Sequence, residues 1–226
     1  MWLDRHGPYK IVSRVTVLLL AMATSGLYSS SLTAGEVVKL VLTEKQDTFH
    51  LALAMILDAP FEDVHYVITD YAHIYRIDPS IVESEVLGTP EQSVTRVKTR
   101  VSDCVLSFCR DILRVEDVRQ TDEENIDSVV IPRLSNVKSG AAYWKIRPIG
   151  DKTRVNYDMT LDPGFIMPPV IGPLVIESKL REETLTCLNN IERIARIRAI
   201  QEKARNSTQN KMLSAGTTSR ENEKAY

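Results

Sequence analysis

Cysteine, histidine and aromatic residues are scarce in these 226 residues: three cysteines, four histidines and 6% aromatics. Three cysteines cannot staple a disulfide-dense scaffold, and four histidines do not supply a multi-metal site. No charge of one sign prevails. The formal net charge is -2, which excludes a nucleic-acid binder working through a strong general positive field. The common catalytic signatures are missing too: there is no HExxH, no GxSxG, no Walker loop and no GxGxxG. Hydrophobic residues at 43% and charged residues at 26% exclude wholesale disorder and a multi-span membrane protein. What remains is one domain of ordinary size with appendages.

The first appendage is residues 1–34. Arg5, Lys10 and Arg14 face a single Asp4, and an apolar run from Val15 to Ala23 follows, then small residues up to Ala34. A basic stretch, a short apolar core and a small-residue exit form the pattern of a secretory signal peptide. The uninterrupted run is about 9 residues, short of the roughly 20 that span a bilayer. Export to a compartment such as the periplasm, with cleavage after Ala34 or Ala23, is the expectation. An uncleaved N-terminal membrane anchor is the alternative. Removing residues 1–34 takes away three of the 28 basic and one of the 30 acidic residues, leaving a formal charge of -4.

The remaining chain divides into residues 35–205, the folded domain, and residues 206–226, a polar tail expected to be disordered. Thr48 to Asp58 reads as a first strand. Pro60 and the acids Glu62 and Asp63 open a helix with Phe61, Val64, Ile68 and Tyr71 at helical spacing. From Ser80 onward the pattern turns to period two. Ile81–Leu87, Thr95–Val101, Ile112–Val118, Ser128–Ile131, Ala141–Pro148 and Thr153–Leu161 are expected as antiparallel strands. Gly150-Asp151 marks the hairpin between the last two. Trp144 and Ile146 share one face, as do Val155, Tyr157, Met159 and Leu161, and those faces are expected to point inward. Pro163 to Pro169 cannot continue a central strand. A long helix then begins after Pro173, with an apolar stripe of Ile176, Leu180, Cys187, Ile191 and Ile194. Lys179, Arg181, Glu182, Glu192 and Arg193 lie off that stripe.

The fold class is therefore α+β, a curved antiparallel sheet around a long C-terminal helix. The space between them is either filled core or a ligand cavity. Three stretches carry a resemblance: Val67–Tyr71 with Ile77-Asp78-Pro79, Trp144–Pro148 with Thr153–Tyr157, and Asp162–Phe165 with Pro168-Pro169. With the element order, they resemble the START-like, helix-grip superfamily of polyketide cyclases, lipid-transfer domains and coenzyme Q-binding proteins, over roughly Thr48 to Ile197. The resemblance implies a fold strongly and an activity weakly, because fold alone does not settle function.

Cys104 and Cys109, with four residues between them at a strand turn, are read as a hairpin disulfide, with two reduced packed thiols as the alternative. Cys187, on the helix stripe, reads as a small buried hydrophobe. Asp70 and His73 are three apart and could share a helix face as an acid/base pair at the cavity mouth, but a surface contact is the favoured reading for them. The ligand-binding candidates are Tyr71, Trp144, Ile146, Tyr157, Met159, Phe165 and Ile166, the last two on the Pro-bounded loop that frames the cavity mouth in START-like domains. No metal and no cofactor is expected. The partner expected is a lipid or quinone-like small molecule, with peripheral membrane contact through that loop and no nucleic acid. The leading reading is a non-enzymatic binder or carrier. A cyclase/dehydrase-type enzyme on a polyketide-like substrate and a ligand-free cell-envelope module are the alternatives. An enzyme requires ionisable side chains in the cavity; a wholly apolar lining would count against it.

Overall fold

The computed structural model describes residues 35–105, 108–164 and 173–223. Eight strands form one open antiparallel sheet in the order β1-β2-β8-β7-β6-β5-β4-β3. They are β1 (Glu36–Lys45), β2 (Thr48–Leu57), β3 (Ile81–Glu91), β4 (Val94–Val105), β5 (Phe108–Gln120), β6 (Asn125–Val130), β7 (Ser139–Ile149) and β8 (Lys152–Asp162). Helix α1 (Phe61–Thr69) and a 3-10 turn (Tyr71–Arg76) lie between β2 and β3, and α2 (Pro173–Glu223) ends the described chain.

Period two explains the sheet. Leu53, Met55 and Leu57 on β2, Val97 on β4, Val118 on β5, Ile126 on β6, Ile146 on β7 and Val155 on β8 all face one side. Val64, Val67 and Ile68 of α1 and Leu188, Ile191 and Ala195 of α2 cover that side. The alternate positions face water and carry cross-strand ion pairs, such as Arg96 with Asp117 at 2.7 Å and Arg100 with Glu83 at 3.1 Å. Pro90 stands on β3, an edge strand, where a missing N–H leaves no ladder bond unmade. The β7–β8 hairpin turns at Gly150, whose φ of +62° suits the first central position of a two-residue loop.

Three differences from the sequence reading stand out. A strand absent from that reading, β1, pairs with β2 through a loop in which Gln46 and Asp47 both have positive φ. Its signal was the β-branched run Val37-Val38 followed by the alternation Leu40/Leu42 against Lys39/Val41/Thr43. The expected disordered tail from 206 is instead helix to Glu223. No proline interrupts residues 174–223, and Gln, Lys, Ala and Arg continue a helix already nucleated on the core. Finally, Glu192 is 4% exposed rather than off the apolar stripe. The buried line on α2 runs Leu188, Ile191, Ala195, Ala199, and at about 100° per residue Glu192 falls within it. Its Oε2 accepts the Asp58 N–H at 3.0 Å, which satisfies the buried carboxylate. The expected stripe residues Cys187 and Ile194 are partly buried against the same core.

Candidate functional site

An internal cavity of about 110 Å³ lies between the inner sheet face and the α1 side of the domain. Tyr71, Ile74 and Ile77 wall it from the 3-10 segment, and Val97, Val118, Ile126, Trp144, Tyr157 and Met159 from the sheet. Its size is of the order of the ~150 Å³ apolar void that admits one aromatic ring, and well below the ~300–1,000 Å³ of drug-sized pockets. Gly140 on β7 keeps part of this space open. A Cβ there would come 2.8 Å from Val130 Cγ2 and 3.2 Å from Leu161 Cδ1.

Trp144 and Tyr157 are cross-strand partners on β7 and β8. Their rings lie 4.2 Å apart at 40°, a contact worth about 0.5–1.5 kcal/mol beyond burial. Burial pushes the Tyr157 hydroxyl far up; Arg114 opposes that shift and Glu116 adds to it. Burial likewise pushes Tyr71 up to about 12. Both phenols are therefore neutral hydrogen-bond donors at neutral pH rather than bases. The Tyr71 hydroxyl is buried and has no hydrogen-bond partner, and the same holds for Thr99 Oγ1.

A polar corner breaks the apolar lining. Arg114 and Glu116 are two residues apart on β5, so both point inward with Val118. Arg114 Nε lies 2.9 Å from Glu116 Oε2, yet no acceptor sits in line with its N–H. The contact is thus a charge pairing that leaves a directed donor unused. Glu116 raises the already high Arg114 value, so the guanidinium stays charged. Ser128 Oγ donates to Glu116 Oε1 at 3.3 Å. Thr99 is the register partner of Arg114 on β4. Arg114, Glu116 and Ser128 line the cavity and together can hold a carbonyl or anionic oxygen on an otherwise apolar ligand.

Of the sequence candidates, Tyr71, Trp144, Tyr157 and Met159 line the cavity. Ile146 does not: it is 0% exposed, packed in the core beyond the cavity, because its β8 partner Val155 and the nearby α1 fill the space around it. Phe165 and Ile166 lie outside the described residues. Asp70 and His73 meet at 2.7 Å on the outer side of the 3-10 turn, with His73 half exposed. Arg76 also pairs with Asp70, and none of the three lines the cavity. Cys104 and Cys109 stand opposite each other in the β4–β5 register and are joined by a disulfide. Burial raises the Cys187 thiol to about 12, with a further push from Asp78. Arg114, Glu116 and Ser128 were missed. On β5 the faint signal was that Arg114 and Glu116 run in phase with Ile112 and Val118. Leu113 and Val115 on the opposite phase hid it. Among the described residues no three His, Cys, Asp or Glu side chains gather as metal ligands, and no helix is long and apolar enough to cross a membrane.

An antiparallel sheet gripping a long C-terminal helix over a cavity defines the START-like, helix-grip class. Residues 48–193 match the family model "Polyketide cyclase / dehydrase and lipid transport", and the chain belongs to that family. Solved structures of similar fold include the aromatase/cyclase ZhuI from Streptomyces sp. R1128, at 16% identity, 67% coverage of this chain and 96% of that one, with a TM-score of 0.52. A STAR-related lipid transfer protein from Xanthomonas axonopodis is 16% identical, with 71% and 99% coverage and a TM-score of 0.51. A START superfamily protein from Mycobacterium smegmatis is 13% identical, with 64% and 98% coverage and a TM-score of 0.51. At such identities the likeness concerns the fold. No match is found among curated proteins.

Proposed function

We propose that this domain binds and carries a small hydrophobic molecule bearing a ring and at least one hydrogen-bonding oxygen, outside the cytoplasm and without changing it chemically. The observation that carries the reading is the cavity itself: a mostly apolar chamber walled in part by Tyr71, whose hydroxyl is buried without a partner. Such a group costs free energy unless something pairs with it. A quinone-like ring meets both requirements better than a two-chain lipid, which at 110 Å³ would need the cavity to open. Burial of the ring would supply about 25 cal/mol per Å², with Trp144 and Tyr157 as the aromatic anchors. The basic and apolar leader and the Cys104–Cys109 disulfide support an exported, oxidising location, such as the periplasm. A carrier of this kind exchanges its cargo at a membrane, so peripheral membrane contact belongs to the same reading. Native mass spectrometry of protein from its own host, followed by organic extraction, is the test. A ring-bearing adduct of defined mass is expected. Protein that is ligand-free when isolated and takes up no quinone in titration overturns the reading.

One observation favours a second reading, a cyclase/dehydrase-type enzyme. Arg114 and Glu116 are ionisable side chains that do face the cavity. Arg114 would hold a developing enolate oxygen, and Glu116 would move the proton. Incubation with a reactive poly-β-ketone distinguishes the readings. A carrier returns the same product mixture as buffer, whereas an enzyme gives one cyclised product that Glu116→Gln abolishes.

A further inference from the structure

The face of α2 that points away from the core is unlike the rest of the surface. Leu188, Ile191, Ala195 and Ala199 are buried on one side. On the other, Arg193, Ile197, Ile200 and Ala204 step by three or four residues and so share a face. Ile197 is 45% exposed and Ile200 67% exposed, the latter the most exposed large apolar side chain among the described residues. Residues 193–211 hold six cations and one acid, Glu202, in a chain whose formal charge is -2. Part of that charge is held locally, Arg196 near Asp58 and Glu192 and Arg198 on Asp63 and Glu202. Arg193 and Lys203 flank the isoleucines. This segment begins where the family match ends, at residue 193.

We propose that the α2 face around Ile197 and Ile200, rimmed by Arg193 and Lys203, docks on an anionic lipid surface. Exposed apolar side chains between cations on one helix face are what an interfacial helix needs: the isoleucines enter the acyl boundary while the cations meet lipid phosphates. A second copy of the chain fits less well. One heptad after Ile197 comes Ala204 and then Lys211, and one heptad after Ile200 comes Ser207, so the apolar seam does not repeat. The inference does not depend on what the cavity holds.

The test reads depth at one residue rather than total binding, so a leader that inserts by itself cannot imitate the result. Ile200→Cys is labelled with an environment-sensitive fluorophore in the full chain carrying Cys187→Ala; Cys104 and Cys109 are joined, which directs the label to position 200. A second label at Lys45→Cys marks the far end of β1. The protein is mixed with vesicles of phosphatidylcholine alone or with phosphatidylglycerol. The expected result is a blue shift and protection from aqueous quencher at position 200 only, with the phosphatidylglycerol vesicles only, reversed by high salt. Arg193→Gln with Lys203→Gln is expected to weaken that response about thirtyfold, at ~1 kcal/mol per cation. A label at 200 that stays as wet as the one at 45, or a double variant that responds like wild type, overturns the proposal; protection by an acidic protein but not by vesicles would reassign the face to a protein partner.

Discussion

Tyr71 is the residue on which the binding reading can be tested most cheaply. Its ring walls the cavity, yet its hydroxyl is buried with no partner. Leaving such a group unpaired costs roughly 1–3 kcal/mol. Tyr71→Phe is therefore expected to be at least as stable as wild type without ligand, with a gain of about 1 kcal/mol in urea unfolding, and to hold its ligand less well. A variant that loses stability in the ligand-free state would show that the hydroxyl already has a partner. The Arg114–Glu116 pair teaches the opposite lesson. Its members satisfy each other's charge but leave the Arg114 Nε–H without an aligned acceptor. At this scale the sequence was informative for aromatics and poor for polar groups. Trp144, Tyr157 and Met159 were found because period two predicts the side on which a strand residue lies. Arg114 and Glu116 were not, because both phases of β5 mix apolar and charged residues. Ile146 had the right face but the wrong depth, since periodicity tells inward from outward and not core from cavity.

Elements are held by devices that differ along the sheet. The β4–β5 hairpin carries the disulfide, closing a loop with a sequence separation of 5. By chain entropy so short a loop contributes about 2 kcal/mol. Thiol titration of unfolded, unreduced protein is expected to find one reactive thiol, that of Cys187. Three thiols would show that the hairpin is held by its ladder alone. The β1–β2 hairpin has only ladder and packing, with Leu40 against the core and Val37, Val38 and Val41 substantially exposed. That weak amphipathicity is why β1 escaped the sequence reading while β2, with its solid apolar run, did not. Helix α2 shows the reverse error. Its polar end looked disordered because hydrophobics vanish, but composition reports a lack of core contacts and not a lack of helix.

For the whole molecule, the sheet and both helices meet in one core, and α2 outruns it. Residues 200–211 are exposed apart from Glu202. Truncation after Arg205 is accordingly expected to leave the unfolding midpoint unchanged, within about 0.5 kcal/mol as for surface changes in general, as read by thermal denaturation. A larger loss would mean that the distal helix packs on something. The cavity is a property of this same scale, because its walls come from five strands and the 3-10 segment, which are distant in sequence.

The amino-acid order alone determined the alternation of helix and strand, the inward faces of β7 and β8, the family resemblance and the α+β class. Those follow from periodicity and turn chemistry, which are local. Only the tertiary structure decided that Arg114, Glu116, Ser128 and Tyr71 line one cavity, that Ile146 is sealed in the core, and that Glu192 is buried beside the entering chain. Each depends on which strands become neighbours and how far the helices stand off the sheet, and those distances are set by packing between residues scores of positions apart.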